Sequence, residues 1–158
     1  LLSSQILIYN CILFFSFSLS VNYFVDLEII NYFAYVIFHI TFIYVVFYFF
    51  HFSFILIAFL YGIFLDIFLI NNISPHLISF MIFVILFYLT KKYLLNLSPN
   101  KVSLLIISLT LIIFVSEALI AKFQFNFPIN YENLTWLFLT SIIFFFPSLI
   151  LFNKIDRL

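Results

Sequence analysis

Three ionisable side chains sit inside long apolar runs of this chain: His39, Asp66 and Glu117. Insertion of an aspartate at the centre of a membrane helix costs about 2.5–3.5 kcal/mol, so such groups mark function or a specific structural pairing. At 1.5 Å of rise per residue, Asp66 lies about 6 Å below the end of its run and Glu117 about 7 Å below the end of its own. Tyr32 and Tyr35 fall at that level on a third run, one helical step apart on one face. The spacing predicts a polar cluster of Asp66, Glu117 and Tyr32 or Tyr35, with tyrosine hydroxyls donating to the carboxylates. The alternative is that each acid faces a wet crevice alone or caps a neighbouring helix. His39 shares the tyrosine face but reads as a deeper, hydrogen-bonded interior histidine. His51 and His76 fall at opposite edges, so the three histidines cannot share a metal. Cys11 stands alone, and no serine or cysteine is arranged with a base as a nucleophile. No catalytic residue, cofactor or metal site is expected, and the chain reads as a non-enzyme.

The elements that must position these groups are membrane spans. Of 158 residues, 67% are hydrophobic and 8% charged, far below the roughly quarter-charged composition of a soluble domain. Apolar runs near 20 residues match a bilayer core about 30 Å thick. The runs are continuous rather than alternating, which selects helices over a barrel. The expected fold is an all-α, six-transmembrane-helix bundle forming a single integral membrane domain over residues 1–158. Its spans fall at about 5–21, 29–50, 52–70, 75–95, 101–122 and 134–152. The first is expected to be retained, because it has neither a basic leader nor a small-residue cleavage site. The 27 phenylalanines read as lipid-facing bulk, and a net charge of zero leaves no footprint for nucleic acid.

Charge sets the expected orientation. Lys91, Lys92 and Lys101 flank one loop, and Lys154 and Arg157 follow the last span; with six spans these regions share a side. By the positive-inside rule that side is the cytoplasm, with both termini. Asp26, Glu28 and Glu132 fall opposite, with Lys122. Ser74-Pro75 and Ser98-Pro99 read as an N-cap followed by proline at the first helical position, and Pro147 as a kink in the last span. Ala58, Gly62 and Asp66 form one stripe at i, i+4 and i+8. Small residues so spaced allow close helix approach in lipid, and Gly62 is the only glycine in the chain. The stripe is expected to pack against a helix of this chain or of a partner.

Phe59-Leu60-Tyr61-Gly62-Ile63-Phe64-Leu65-Asp66 resembles the F-x-x-G-x-x-x-D segment of the rod-shape-determining MreD family. The turn at 71–76, the basic end at Lys91-Lys92, the late acid Glu117, and Pro147 before a short basic tail extend the likeness over the whole chain. The chain departs from the family in the turn after the aspartate, where Asn71, Asn72, Ser74 and Pro75 stand in place of glycines; asparagine can take the positive-φ positions. The resemblance implies a scaffold of the bacterial cell-elongation machinery in the cytoplasmic membrane. It would bind MreC, a single-span protein, and indirectly link MreB to peptidoglycan synthases, in contact with membrane lipids; self-association as a homodimer stays open. Two other readings stand beside it. One is a substrate-binding S component of an energy-coupling-factor transporter, whose helix arrangement the family resembles, although the first span here has no alanine and the outer loops are short. The other is a membrane enzyme using Asp66 and Glu117 as paired acids, for which no third group stands at that depth.

Overall fold

The computed structural model describes residues 2–21, 28–94 and 96–157. The loop expected at 22–28 lies outside the described residues, Asp26 included, except for the helical backbone of Glu28. Leu95, the expected last residue of the fourth span, lies outside them too. Six helices long and apolar enough to cross a membrane follow one another, so this is a multi-pass membrane protein. They are α1 (Leu2–Val21), α2 (Glu28–Phe49), α3 (Ser53–Leu65, continued by a π-helical segment Asp66–Ile70 to complete the span), α4 (Pro75–Leu94), α5 (Pro99–Phe125) and α6 (Tyr131–Ile155). No strand occurs among the described residues.

α2 is the central helix. In its membrane-length window 61% of residues are buried, against 22–28% in the other five. It packs on α1, α5 and α6, while α3 and α4 form a hairpin. A helix surrounded this way has no polar face to spare, and α2 is apolar around most of its circumference; among its buried polar groups the Thr41 hydroxyl makes no hydrogen bond. Lipid is as apolar as a phenylalanine ring, so packing rather than water exclusion holds the helices together. Phe38, Phe42 and Phe80 are fully buried and interlock, with Phe42 and Phe80 centroids 4.9 Å apart.

The helices alternate in direction. The start of α2, the end of α3, the start of α4 and the end of α5 meet at one end of the bundle, here the Asn71 end. The start of α1 and the ends of α2 and α6 meet at the other. α4 closes at this second end with Lys91 and Lys92, and α6 with Lys154. Lys101 lies in the first turn of α5, and Arg157 follows α6. The five bases therefore share one end of the bundle. Lys91 also lies over the Phe50 ring, 5.0 Å from its centroid.

A polar clamp absent from the sequence reading closes the Lys91 end. Tyr9 of α1 donates to Asp156 Oδ1 at 2.7 Å, Tyr44 of α2 donates to Oδ2, and Gln5 donates to the Asp156 carbonyl at 2.9 Å. Asp156 lies in the short basic tail, between Lys154 and Arg157. Its hydrogen bonds tie the end of α6 to two helices far away in sequence. Asp156→Ala is expected to loosen that end by about 1–3 kcal/mol, the cost of leaving donors unsatisfied. Faster proteolysis of the segment after Phe152, with unchanged insertion, is the measurable result.

α6 runs continuously through Pro147. α5 starts with proline after Ser98 as expected, but the Ser98 side chain makes no capping hydrogen bond. Asn71 and Asn126 take positive φ, 58° and 55°, and end the preceding helical segments in the left-handed conformation. These are positions where an asparagine does what glycine often does.

Candidate functional site

The α3–α4 hairpin is built around Asp66. Its last turn widens into a π-helical segment, Asp66–Ile70, ending at Asn71. π-turns of this kind are rare and recur at specialised sites. From the start of this segment the carboxylate reaches across to the start of α4. Oδ1 accepts from the His76 backbone N–H at 2.9 Å and from His76 Nδ1 at 2.7 Å. Oδ2 accepts from the backbone N–H groups of Ser74 at 2.8 Å and Leu77 at 3.0 Å. A carboxylate offers about four lone-pair positions, and all are used. The first N–H groups of a helix have no partner inside it; Asp66 satisfies them and places negative charge at the positive end of α4. Ser74 is therefore not the capping side chain expected from sequence. Its hydroxyl donates to Gln124 Oε1 at the end of α5 instead. Pro75 does open α4 as expected, where a missing N–H costs nothing.

One turn before Asp66, Gly62 faces the same neighbour. Ala58 is fully buried, and Gly62 is buried against the backbone of Leu77. A Cβ built on Gly62 would stand 2.6 Å from Leu77 Cα and 3.0 Å from Leu77 N. Only a glycine lets the two backbones approach so closely, and that approach brings the α4 N–H groups within reach of Asp66. Gly62 and Asp66 thus join two helices of one chain.

A second acid lies beyond His76. His76 Nε2 is 2.9 Å from the Tyr35 hydroxyl, which lies 2.6 Å from Glu117 Oε2. Glu117 Oε1 is 3.2 Å from His39 Nε2, and His39 Nδ1 donates to the Tyr35 carbonyl at 2.8 Å. Four elements contribute: α2 with Tyr35 and His39, the α3 end with Asp66, α4 with His76 and α5 with Glu117. Asp66 and His39 are fully buried, His76 is 5% and Glu117 6% exposed. Phe114 stacks on Tyr35 with centroids 5.6 Å apart and meets the His39 ring edge-on at 4.9 Å.

The structure brings Asp66, Glu117 and Tyr35 into one network, but not through tyrosine–carboxylate bonds to both acids. Tyr35 contacts Glu117, whereas Asp66 is reached through His76. Tyr32 is half-buried three residues earlier on α2. Both histidines of the network were missed as members. His76 could have been found from its place in the first turn after the Asp66 segment. His39 could have been found from its position four residues after Tyr35.

A cleft of about 380 Å³ reaches the network from the α5–α6 connection, bordered by Tyr35, His76, Glu117, Pro128, Asn130 and Asn133. The acids and histidines are strung along a line. Among the described residues no three His, Cys, Asp or Glu side chains converge as metal ligands would. The arrangement can hold helices in register and can accept, hold and pass protons. The chain matches no family model, no curated protein and no solved structure.

Proposed function

We propose that the chain is a non-enzymatic scaffold subunit of the bacterial cell-elongation machinery. It spans the inner membrane six times, with both termini in the cytoplasm, binds an MreC-like single-span partner, and so helps couple MreB to peptidoglycan synthesis. The observation that carries this reading is the use of Gly62 and Asp66, the residues on which the MreD resemblance rests. Every acceptor position of Asp66 is filled by the start of α4. A carboxylate committed in that way fixes the relation of two helices and has no lone pair left for a substrate. A rigid hairpin is what a scaffold needs in order to present constant faces to partner helices. The orientation rests on the bases gathered at the Lys91 end.

Depletion in the native host tests the reading. Cells are expected to lose rod shape while nutrient uptake continues. Unchanged shape with lost uptake of a nutrient would overturn the scaffold role in favour of a transporter subunit.

A further inference from the structure

The network around Glu117 needs more protons than its side chains carry when the acids are ionised and the histidines neutral. Asp66 accepts three backbone N–H groups, so it acts as a pure acceptor, and His76 Nδ1 must carry the proton of their shared bond. At the far end the Tyr35 carbonyl can only accept, so His39 Nδ1 is protonated as well. Between these ends lie three links: His76 Nε2 to the Tyr35 hydroxyl, that hydroxyl to Glu117 Oε2, and Glu117 Oε1 to His39 Nε2. Each link requires one proton and has room for only one. His76, Tyr35, Glu117 and His39 therefore hold five protons, where neutral imidazoles, a phenol and an ionised glutamate would hold three. The two additional protons balance the charges of Asp66 and Glu117, and the buried network is neutral as a whole. That agrees with the high cost of burying net charge.

We propose that this network is a binding site for two protons, one of which passes between His76 and Glu117 through Tyr35. In one arrangement both histidines are imidazolium and Glu117 is a carboxylate. In the other, the His76 Nε2–H bond breaks as a new Tyr35 O–H bond forms, and the original Tyr35 O–H bond breaks as Glu117 gains a proton on Oε2. Two protons each shift across one link, for a net transfer of one from His76 to Glu117; no electrons have changed hands, and every link keeps its proton. The titratable groups facing Glu117 are Tyr35 and His39 from α2 and His76 from α4, with Asp66 behind His76. α6 lines the cleft with Asn133, Leu134 and Leu137, which do not titrate. On α5 itself the next ionisable residue, Lys122, is exposed. The cleft from the α5–α6 connection gives water a path to Glu117 and His76, so the bound protons can exchange at the Asn71 end. The site stands independently of the scaffold reading.

The test is a proton count on the full chain in lipid nanodiscs at about pH 7. Nitrogen-15 labelling of histidine reports which ring nitrogens are protonated, and the infrared carbonyl band reports a protonated carboxyl. The exposed His51 provides the reference. The expected wild-type result is two extra protons across His39, His76 and Glu117, either as two imidazolium rings or as one imidazolium and one protonated carboxyl. In Glu117→Gln the amide can accept from Tyr35 and donate to His39, so the count is expected to fall to one, with His76 still imidazolium. Two singly protonated histidines and no protonated carboxyl in the wild type would overturn the proposal, as would an unchanged count in Glu117→Gln. The wild-type count decides by itself should the variant fail to fold.

Discussion

Gly62→Ala is expected to destabilise the α3–α4 hairpin by about 1–3 kcal/mol, and Gly62→Leu to prevent the hairpin from closing. The added Cβ would meet the Leu77 backbone at 2.6 Å, not the end of a side chain that can swing away. Relief requires the first turn of α4 to retreat. The same turn donates three backbone N–H groups to Asp66, so the retreat lengthens charge-assisted hydrogen bonds worth about 1.5–3 kcal/mol each. Overpacking and loss of the cap are thus coupled at one contact. Leu56→Ala, at a lipid-facing position of α3 that is 62% exposed, is the control and is expected to change little. Unfolding by SDS in mixed micelles, followed through the single tryptophan, Trp136, gives the measurement. Equal midpoints for wild type and Gly62→Ala would mean that the close approach does not exist. Loss of partner capture by Gly62→Leu would follow from the unclosed hairpin, so the milder alanine variant is the better probe of a partner surface.

The spans were legible because a bilayer fixes how long an apolar run must be, and the turns because Asn71, Pro75 and Pro99 punctuate them. The level shared by Asp66, Glu117 and Tyr35 was legible from helical rise alone. What rise per residue leaves out is the lean of side chains toward their own helix N-terminus. α2 begins at the Asn71 end, so the His39 ring leans back toward that end and bonds to the Tyr35 carbonyl one turn earlier. α5 ends there, so Glu117 leans the opposite way, deeper into the bundle. Two residues whose positions along the helices differ by about a turn therefore meet. Asp66 was placed at the right level, and of the two readings given for it the structure holds the second, the capping of a neighbouring helix. The helix start at Ser74-Pro75 was legible, but not that its backbone donors would turn to Asp66 instead of the Ser74 side chain. The clamp of Tyr9, Tyr44 and Asp156 was illegible for a different reason. Its members lie on α1, α2 and the end of α6, and no local pattern encodes which distant helix a tail residue will meet.

Asp66→Asn is expected to leave membrane insertion unchanged or improved while costing the hairpin about 3–5 kcal/mol, the usual penalty for breaking a buried pair from one side. Insertion is unharmed because a neutral amide enters lipid more readily than a carboxylate. The damage comes from donor geometry. Each oxygen of Asp66 faces two donors: the His76 N–H and His76 Nδ1 on one side, the Ser74 and Leu77 N–H groups on the other. An asparagine of the same shape keeps one oxygen and replaces the other with an NH₂ group. Turned one way, the amide sets its NH₂ against the Ser74 and Leu77 N–H groups; turned the other, it sets it against the His76 N–H, and His76 Nδ1 must give up its proton to accept. The first turn of α4 should fray, and amide hydrogen exchange at Ser74, His76 and Leu77 should accelerate by orders of magnitude relative to the middle of α4. Unchanged protection of those amides at normal expression would mean that Asp66 does not cap α4. The substitution also removes the carboxylate that orients the His76 ring, whose other nitrogen meets Tyr35. Asp66→Asn should therefore disturb the protonation of His76 as well as the hairpin, whereas Glu117→Gln should alter the proton count and leave the α4 amides protected. That contrast separates the fastening role of the first acid from the proton-holding role of the second.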